Sequence, residues 1–122
     1  MKSLLCAGIL ALSILASAPL YAADEPAAAG PAVRVFVHHE VADYAAWRKA
    51  YNSFRATRMK MGVTAQAVYQ SVDNPNDVLV THDFASADQA KAFLSSEELK
   101  NAMQKAGVKG PPQIWITTRA TK

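Results

Sequence analysis

The chain has 122 residues, 51% of them hydrophobic, and sets 13 Lys and Arg against 10 Asp and Glu for a net charge of +3. So small an excess, with no clustered basic stripe, argues against nucleic acid as a partner. A single cysteine, Cys6, excludes an internal disulfide and a thiolate metal centre.

Residues 1–22 read as a secretory signal peptide. Lys2 gives a positive start, and an apolar run from Leu4 to Leu15 follows. It covers roughly half of the ~20 residues a membrane span needs. The small residues from Ala16 to Ala22 offer a cleavage site after Ala22. The expected mature protein is periplasmic or secreted, free of the membrane after cleavage and without cysteine. Residues 23–32, ADEPAAAGPA, are small, Pro- and Gly-bearing and aperiodic, which predicts a flexible N-terminal segment. Residues 33–120 then form one domain, near the small end of what a core holds together unaided.

The domain begins with an alternating run. Val33, Val35, Val37, His39 and Val41 share one face of a strand; Arg34, Phe36, His38 and Glu40 share the other. Asp43 caps the next helix. There Tyr44, Trp47, Tyr51 and Phe54 follow helical spacing, a stripe that reads as core, with Arg58 and Met61 near its end. Arg48, Lys49, Arg55, Arg58 and Lys60 read as a solvated cationic face toward the helix C-terminus. Gly62 ends the helix. A second strand spans 63–72, and Asp73-Asn74-Pro75-Asn76-Asp77 is a turn by composition. The third strand spans 78–84. Ser86 and Gln89 form a capping box, and Ser95-Ser96-Glu97-Glu98 reads as a second cap of the S-x-x-E type, so the next helix is interrupted near Ser95 or is two in tandem. Gly107 terminates it. Gly110-Pro111-Pro112 predicts an extended turn before a last strand at 113–118.

Residues 35–43, VFVHHEVAD, recur as 78–86, VLVTHDFAS, aligning Val37 with Val80 and His39 with His82. The chain therefore reads as β-α-β twice. The expected fold is α+β: a ferredoxin-like β-α-β-β-α-β sandwich with an antiparallel-rich four-stranded sheet, ordered 4-1-3-2, and helices on one face. Strands one and three are taken as parallel neighbours, which sets His39 and His82 side by side near the helix starts. The helix face takes the valines with Ile114 and Ile116. Phe36, Leu79, Trp115 and either Val68 or Tyr69 remain on the other, too apolar to leave in water. Closing two such sheets face to face gives a homodimer.

No Gly-rich phosphate loop, nucleophile elbow, H-E-x-x-H or Cys/His cluster is present, so no cofactor and no metal are expected. The chemistry falls to three histidines. His38 is a candidate general base on the uncovered face, oriented by Asp83 or Glu40, in a pocket lined by Arg34, Phe36, Tyr69 and Trp115. His39 and His82 read as structural, bonding caps and loop backbone. Imidazoles also suit a haem iron or a metal, but His38 and His39 are adjacent on one strand and face opposite sides.

Three stretches carry a family resemblance: V-H-H-x-V-x-D-Y-x-x-W-R from Val37, D-N-P-N-D-V-x-V-x-H-D-F from Asp73, and S-x-E-L-x-x-A-M-x-x-A-G-V-x-G-P-P-x-I-W from Ser96. In these and in element order the chain resembles the dimeric α/β-barrel proteins of the antibiotic biosynthesis monooxygenase type. The resemblance implies a homodimeric barrel holding a small-molecule ligand or substrate. It further implies a cofactor-independent oxygenase, whose His base ionises a small aromatic or enolisable molecule that then reacts with oxygen. Because that superfamily also contains haem-degrading enzymes and proteins with no known reaction, a non-catalytic ligand binder and a His-based haem or metal binder stand as alternatives.

Overall fold

The computed structural model describes residues 32–122. The signal peptide expected at 1–22 and nearly all of the segment 23–32 lie outside the described residues. The element order is β1 (Val33–Val41), α1 (Tyr44–Ser53), α2 (Arg55–Lys60), β2 (Ala65–Gln70), β3 (Asp77–Phe84), α3 (Ala87–Leu94), α4 (Glu97–Ala106) and β4 (Val108–Thr117). Among the described residues no helix is long and apolar enough to cross a membrane.

The strands form one sheet, β2-β3-β1-β4, in which every neighbouring pair is antiparallel. The parallel pairing expected for β1 and β3 is therefore corrected. Each helical crossover returns the chain parallel to the strand it left, and the tight β2–β3 connection reverses it once, so β3 must oppose β1. In this register Val37 faces Val80, Val35 faces His82 and His39 faces Val78. The two valines that the sequence repeat equates are thus paired with each other, and the repeat's two-fold axis passes between them. The equivalent histidines are carried to opposite sides of that axis. They sit four residues apart, roughly 13 Å along the strands, and not side by side.

Alternation decides the core. Val33, Val35, Val37 and Val41 of β1 and Val78, Val80 and Phe84 of β3 are buried against Trp47, Ala90 and Phe93 from the helices. The Asp43 carboxylate accepts from Ala46 N at 3.0 Å, and the Ser86 and Ser96 hydroxyls accept from Gln89 N and Leu99 N, each at 3.2 Å. Ser95, the C-cap of α3, and Ser96, the N-cap of α4, separate the two helices, the tandem arrangement of the two anticipated. The first helix is broken too, at Phe54, giving α1 and α2. The turn residue Asn76 does more than reverse the chain: its side chain accepts from Tyr44 N at 2.9 Å and its carbonyl from Val41 N at 2.8 Å.

β4 starts earlier than expected and takes Gly110-Pro111-Pro112 inside it. Its partners step from Gln113 opposite His38 to Lys109 opposite Glu40, so three β4 residues span the single position of His39. Prolines cannot donate to a ladder, and they bulge out of it. Ile114 and Ile116 share the helix side, yet on this edge strand both stay about 40% exposed. The opposite face carries Arg34, Phe36, His38, Leu79, Tyr69 and Trp115; Val68 points to the helices.

Gly107 ends α4 in a left-handed conformation, φ 79°, and its carbonyl accepts from Ala42 N at 2.9 Å. A Cβ there would meet only the Ala42 methyl, at 3.6 Å. Gly107→Ala therefore isolates the backbone cost, about 1–2 kcal/mol. Urea titration should show that loss at unchanged m-value; a variant as stable as the parent contradicts the strained cap.

Candidate functional site

On the uncovered face every charge finds a partner. Arg34 binds Asp83 through two bonds, Nε–Oδ1 at 2.7 Å and Nη2–Oδ2 at 2.9 Å. This pair raises the Arg34 pKa, the hydrogen bond contributing most. Glu40 reaches Lys109 at 3.7 Å. Neither acid expected to orient His38 touches it. The antiparallel register sends Asp83 to Arg34 at the far end of the strand and brings Asp77 diagonally across instead.

The His38 ring bonds Asp77 Oδ1 through Nε2 at 2.5 Å and Gln113 Oε1 through Nδ1 at 3.1 Å. Both partners are acceptors, an arrangement that suits the imidazolium, which donates from both nitrogens. Its pKa is raised, by the Gln113 bond first and then by Asp77. In that state it has no lone pair with which to take a proton; it ties β1 to β3 and β4. Phe36 lies beside Trp115, and Tyr69 is across from Leu79. In the single chain they form an open patch, with Tyr69 and Trp115 half exposed.

The other side of the sheet holds a cavity of about 50 Å³ beneath α1, α2 and α4. It is lined by His39 and Val80 from the sheet, Trp47, Tyr51 and Arg58 from the first helices, and Leu99 and Met103 from α4. His39 is buried, with its ring centroid 5.5 Å from that of Trp47, and among the described residues neither ring nitrogen has a partner. Burial lowers its pKa to about 4, and the neighbouring His38 charge pushes the same way. It bonds no cap and no loop backbone, contrary to the structural role expected for it.

His82 is linked to the cavity wall through Tyr51. Tyr51 Oη donates to Gln66 Oε1 at 3.2 Å and lies 3.2 Å from His82 Nε2. The Tyr51 hydroxyl thus bridges Gln66 and His82, and His82 Nδ1 is buried without a partner among the described residues. Burial, then the Arg58 charge, lowers the His82 pKa to about 4. Its bonding partner is a helix side chain, not a cap.

Arg58 is the residue that sequence reasoning missed. Read as part of a solvated face, it is 1% exposed. Its Nε donates to Gln66 Oε1 at 2.8 Å, Nη1 donates to the Tyr51 carbonyl, and the guanidinium carbon lies 3.7 Å from the Tyr51 ring centroid. Nη2 has no partner. Burial lowers the Arg58 pKa. Among the described residues the ion pairs are Arg34–Asp83, His38–Asp77 and Glu40–Lys109, and none reaches Arg58. The available signal was its place seven residues after Tyr51, on the same stripe. Among the described residues no three His, Cys, Asp or Glu side chains converge as a metal site.

The sequence matches no family model and no curated protein. Its structure is similar to several solved ones. A candidate antibiotic biosynthesis monooxygenase from Bordetella bronchiseptica aligns with a TM-score of 0.64 at 16% identity, over 73% of this chain and 97% of that one. SnoaB, a cofactor-independent oxygenase from Streptomyces nogalater, aligns at 0.62 and 12%, over 74% and 94%. A protein of unknown function from Nitrosomonas europaea aligns at 0.59 and 23%, over 74% and 91%. The fold is thus the ferredoxin-like α+β fold of antibiotic biosynthesis monooxygenase-type structures.

The two buried imidazoles make the protein acid-sensitive in a defined window. Both pKa values are lowered to about 4, so the unfolded chain binds these protons first. Their stability is fully present above about pH 6.5 and is lost as pH falls to about 4, at roughly 1.4 kcal/mol per pH unit for each histidine. His38 is shifted the other way, but its exposure keeps its share small. His39→Leu and His82→Leu should each flatten the slope in urea titrations across that window. Slopes unchanged in both variants contradict the buried neutral rings.

Proposed function

We propose that this protein binds a small aromatic or enolisable molecule in the helix-side cavity and oxidises it with molecular oxygen, without a resident cofactor. The observation that carries this reading is His39: a buried, neutral imidazole with two nitrogens unpartnered among the described residues, lining a cavity whose walls are apolar apart from Tyr51 and Arg58. Such a ring can hold an acidic O–H or its anion in place while Trp47 and Tyr51 contact the ligand's faces. The fold shared with SnoaB supports oxygenation. In the simplest balanced form a substrate CH2 and O2 give C=O and H2O. The ionised substrate supplies all four electrons, the new C–O bond forms on the carbon that lost its proton, and loss of water from the hydroperoxide breaks the O–O bond.

The cavity as it stands is smaller than the ~300 Å³ of an ordinary ligand site. A groove of about 410 Å³ lies outside it, between the first helices and α4, and shares Ala50, Phe54 and Ala102 with it. Phe54 occupies the one-residue break between α1 and α2 and lines both spaces, and we propose that its displacement joins them. The weak basicity of His39 favours a second reading, a binder without turnover. We further propose that residues 1–22 export the protein and that the uncovered face, through Phe36, Leu79, Tyr69 and Trp115, pairs two copies.

Small phenols should quench Trp47 fluorescence in a Trp115→Phe background. His39→Leu should weaken the effect about tenfold or more, the scale of a lost hydrogen bond to a charged group, while His38→Ala leaves it intact. The reverse pattern moves the site to the uncovered face. Uptake of oxygen in step with substrate loss identifies the enzyme; binding without uptake identifies the binder. Separately, Leu79→Asp should sediment as a monomer, and a variant that stays dimeric contradicts pairing through that face.

A further inference from the structure

We propose that Arg58 makes the helix-side cavity selective for the ionised form of its ligand, the oxyanion of an acidic phenol or enol. The inference rests on the cavity being the binding site and adds the class of molecule that it takes. Arg58 is buried with a guanidinium whose two assigned bonds go to neutral acceptors, the Gln66 side-chain oxygen and the Tyr51 carbonyl. That carbonyl lies in the last turn of α1, so the helix C-terminus offers a partial negative charge of roughly one half, and no more.

The remaining neighbours do not complete the balance. His39 from β1 and His82 from β3 are neutral at pH 7. Arg48 on α1 sits over Tyr51, and Arg55 on α2 adds a further cation. Among the described residues no Asp or Glu lines the inner cavity. Glu98 and Lys105 of α4 lie on the outer groove, where their charges offset each other. A buried cation lacking a counter-ion is costly, and a ligand oxyanion supplies the missing partner through the free Nη2.

Selection of the anion also resolves the weak basicity of His39. The positive field makes the ligand more acidic, so the imidazole need only donate a second hydrogen bond to the oxyanion. The apolar wall of Trp47, Leu99 and Met103 disfavours a compact hydrated ion and favours an aromatic or conjugated body.

The test compares 4-nitrophenol, whose absorbance reports ionisation, with 4-nitroanisole, which has similar shape and cannot ionise. With the wild-type protein near neutral pH, 4-nitrophenol should bind about ten- to hundredfold more tightly than 4-nitroanisole, the scale of a charge-assisted bond. Its bound form should ionise at lower pH than the free compound. Arg58→Met, checked for folding by circular dichroism, should abolish both the preference and the shift; Arg58→Lys should keep part of each. Equal affinity for the two compounds, or an unshifted ionisation in the wild type, overturns the inference and leaves the cavity as a neutral site. Failure of both compounds to bind overturns the cavity reading and this inference with it.

Discussion

Val37 paired with Val80 is the contact on which the arrangement turns. It lies on the two-fold axis of the repeat, at the centre of an antiparallel pair buried on its helix face. A slip of one residue in that register would move every valine of β1 to the uncovered face. The same register delivers Arg34 to Asp83, places Asp77 within reach of His38, and sends His39 and His82 to opposite ends of the core. Each half of the repeat thus contributes one imidazole beneath the helices, where Trp47 packs on His39 and Phe93 meets His82 edge-on.

The two faces of the sheet treat charge differently. On the uncovered face, Arg34–Asp83, His38–Asp77 and Glu40–Lys109 are closed pairs. Such pairs hold strands together but leave little reactive capacity. Beneath the helices a guanidinium lacks a carboxylate, and two imidazoles have lost their charge to burial. Groups buried without partners are expensive to keep. His39 and Arg58 line the same cavity next to a helix break, with His82 reached through Tyr51, and this is why we propose this side as the place for a ligand.

Much of this was legible in the sequence because it is local. Alternation from Val33 to Val41 assigns the faces of β1, and Asp43, Ser86, Ser96 and Gly107 mark helix ends by their own chemistry. What failed depended on geometry beyond the segment. Treating β1 and β3 as parallel overlooked the single reversal between β2 and β3, and with it the true partner of His38. Asp77 was hidden in a turn-like run, although it opens β3. Arg58 was read as solvated because a cation near a helix C-terminus is unremarkable there; its contacts with Tyr51 and with Gln66 of β2 depend on tertiary packing. The bulge at Gly110-Pro111-Pro112, which faces His39, could not be told from a turn by composition alone.

The central claim is that ligand chemistry belongs to the buried His39 side of the sheet and not to the exposed His38 side. Imidazole nitrogen NMR on histidine-labelled protein tests it most directly, because the rings report separately. Saturating the protein with a small ionisable phenol should shift the His39 nitrogens strongly and those of His82 modestly, through Tyr51, and leave His38 in its double-donor state. A response confined to His38, with His39 unmoved, would place the site on the uncovered face and contradict the account.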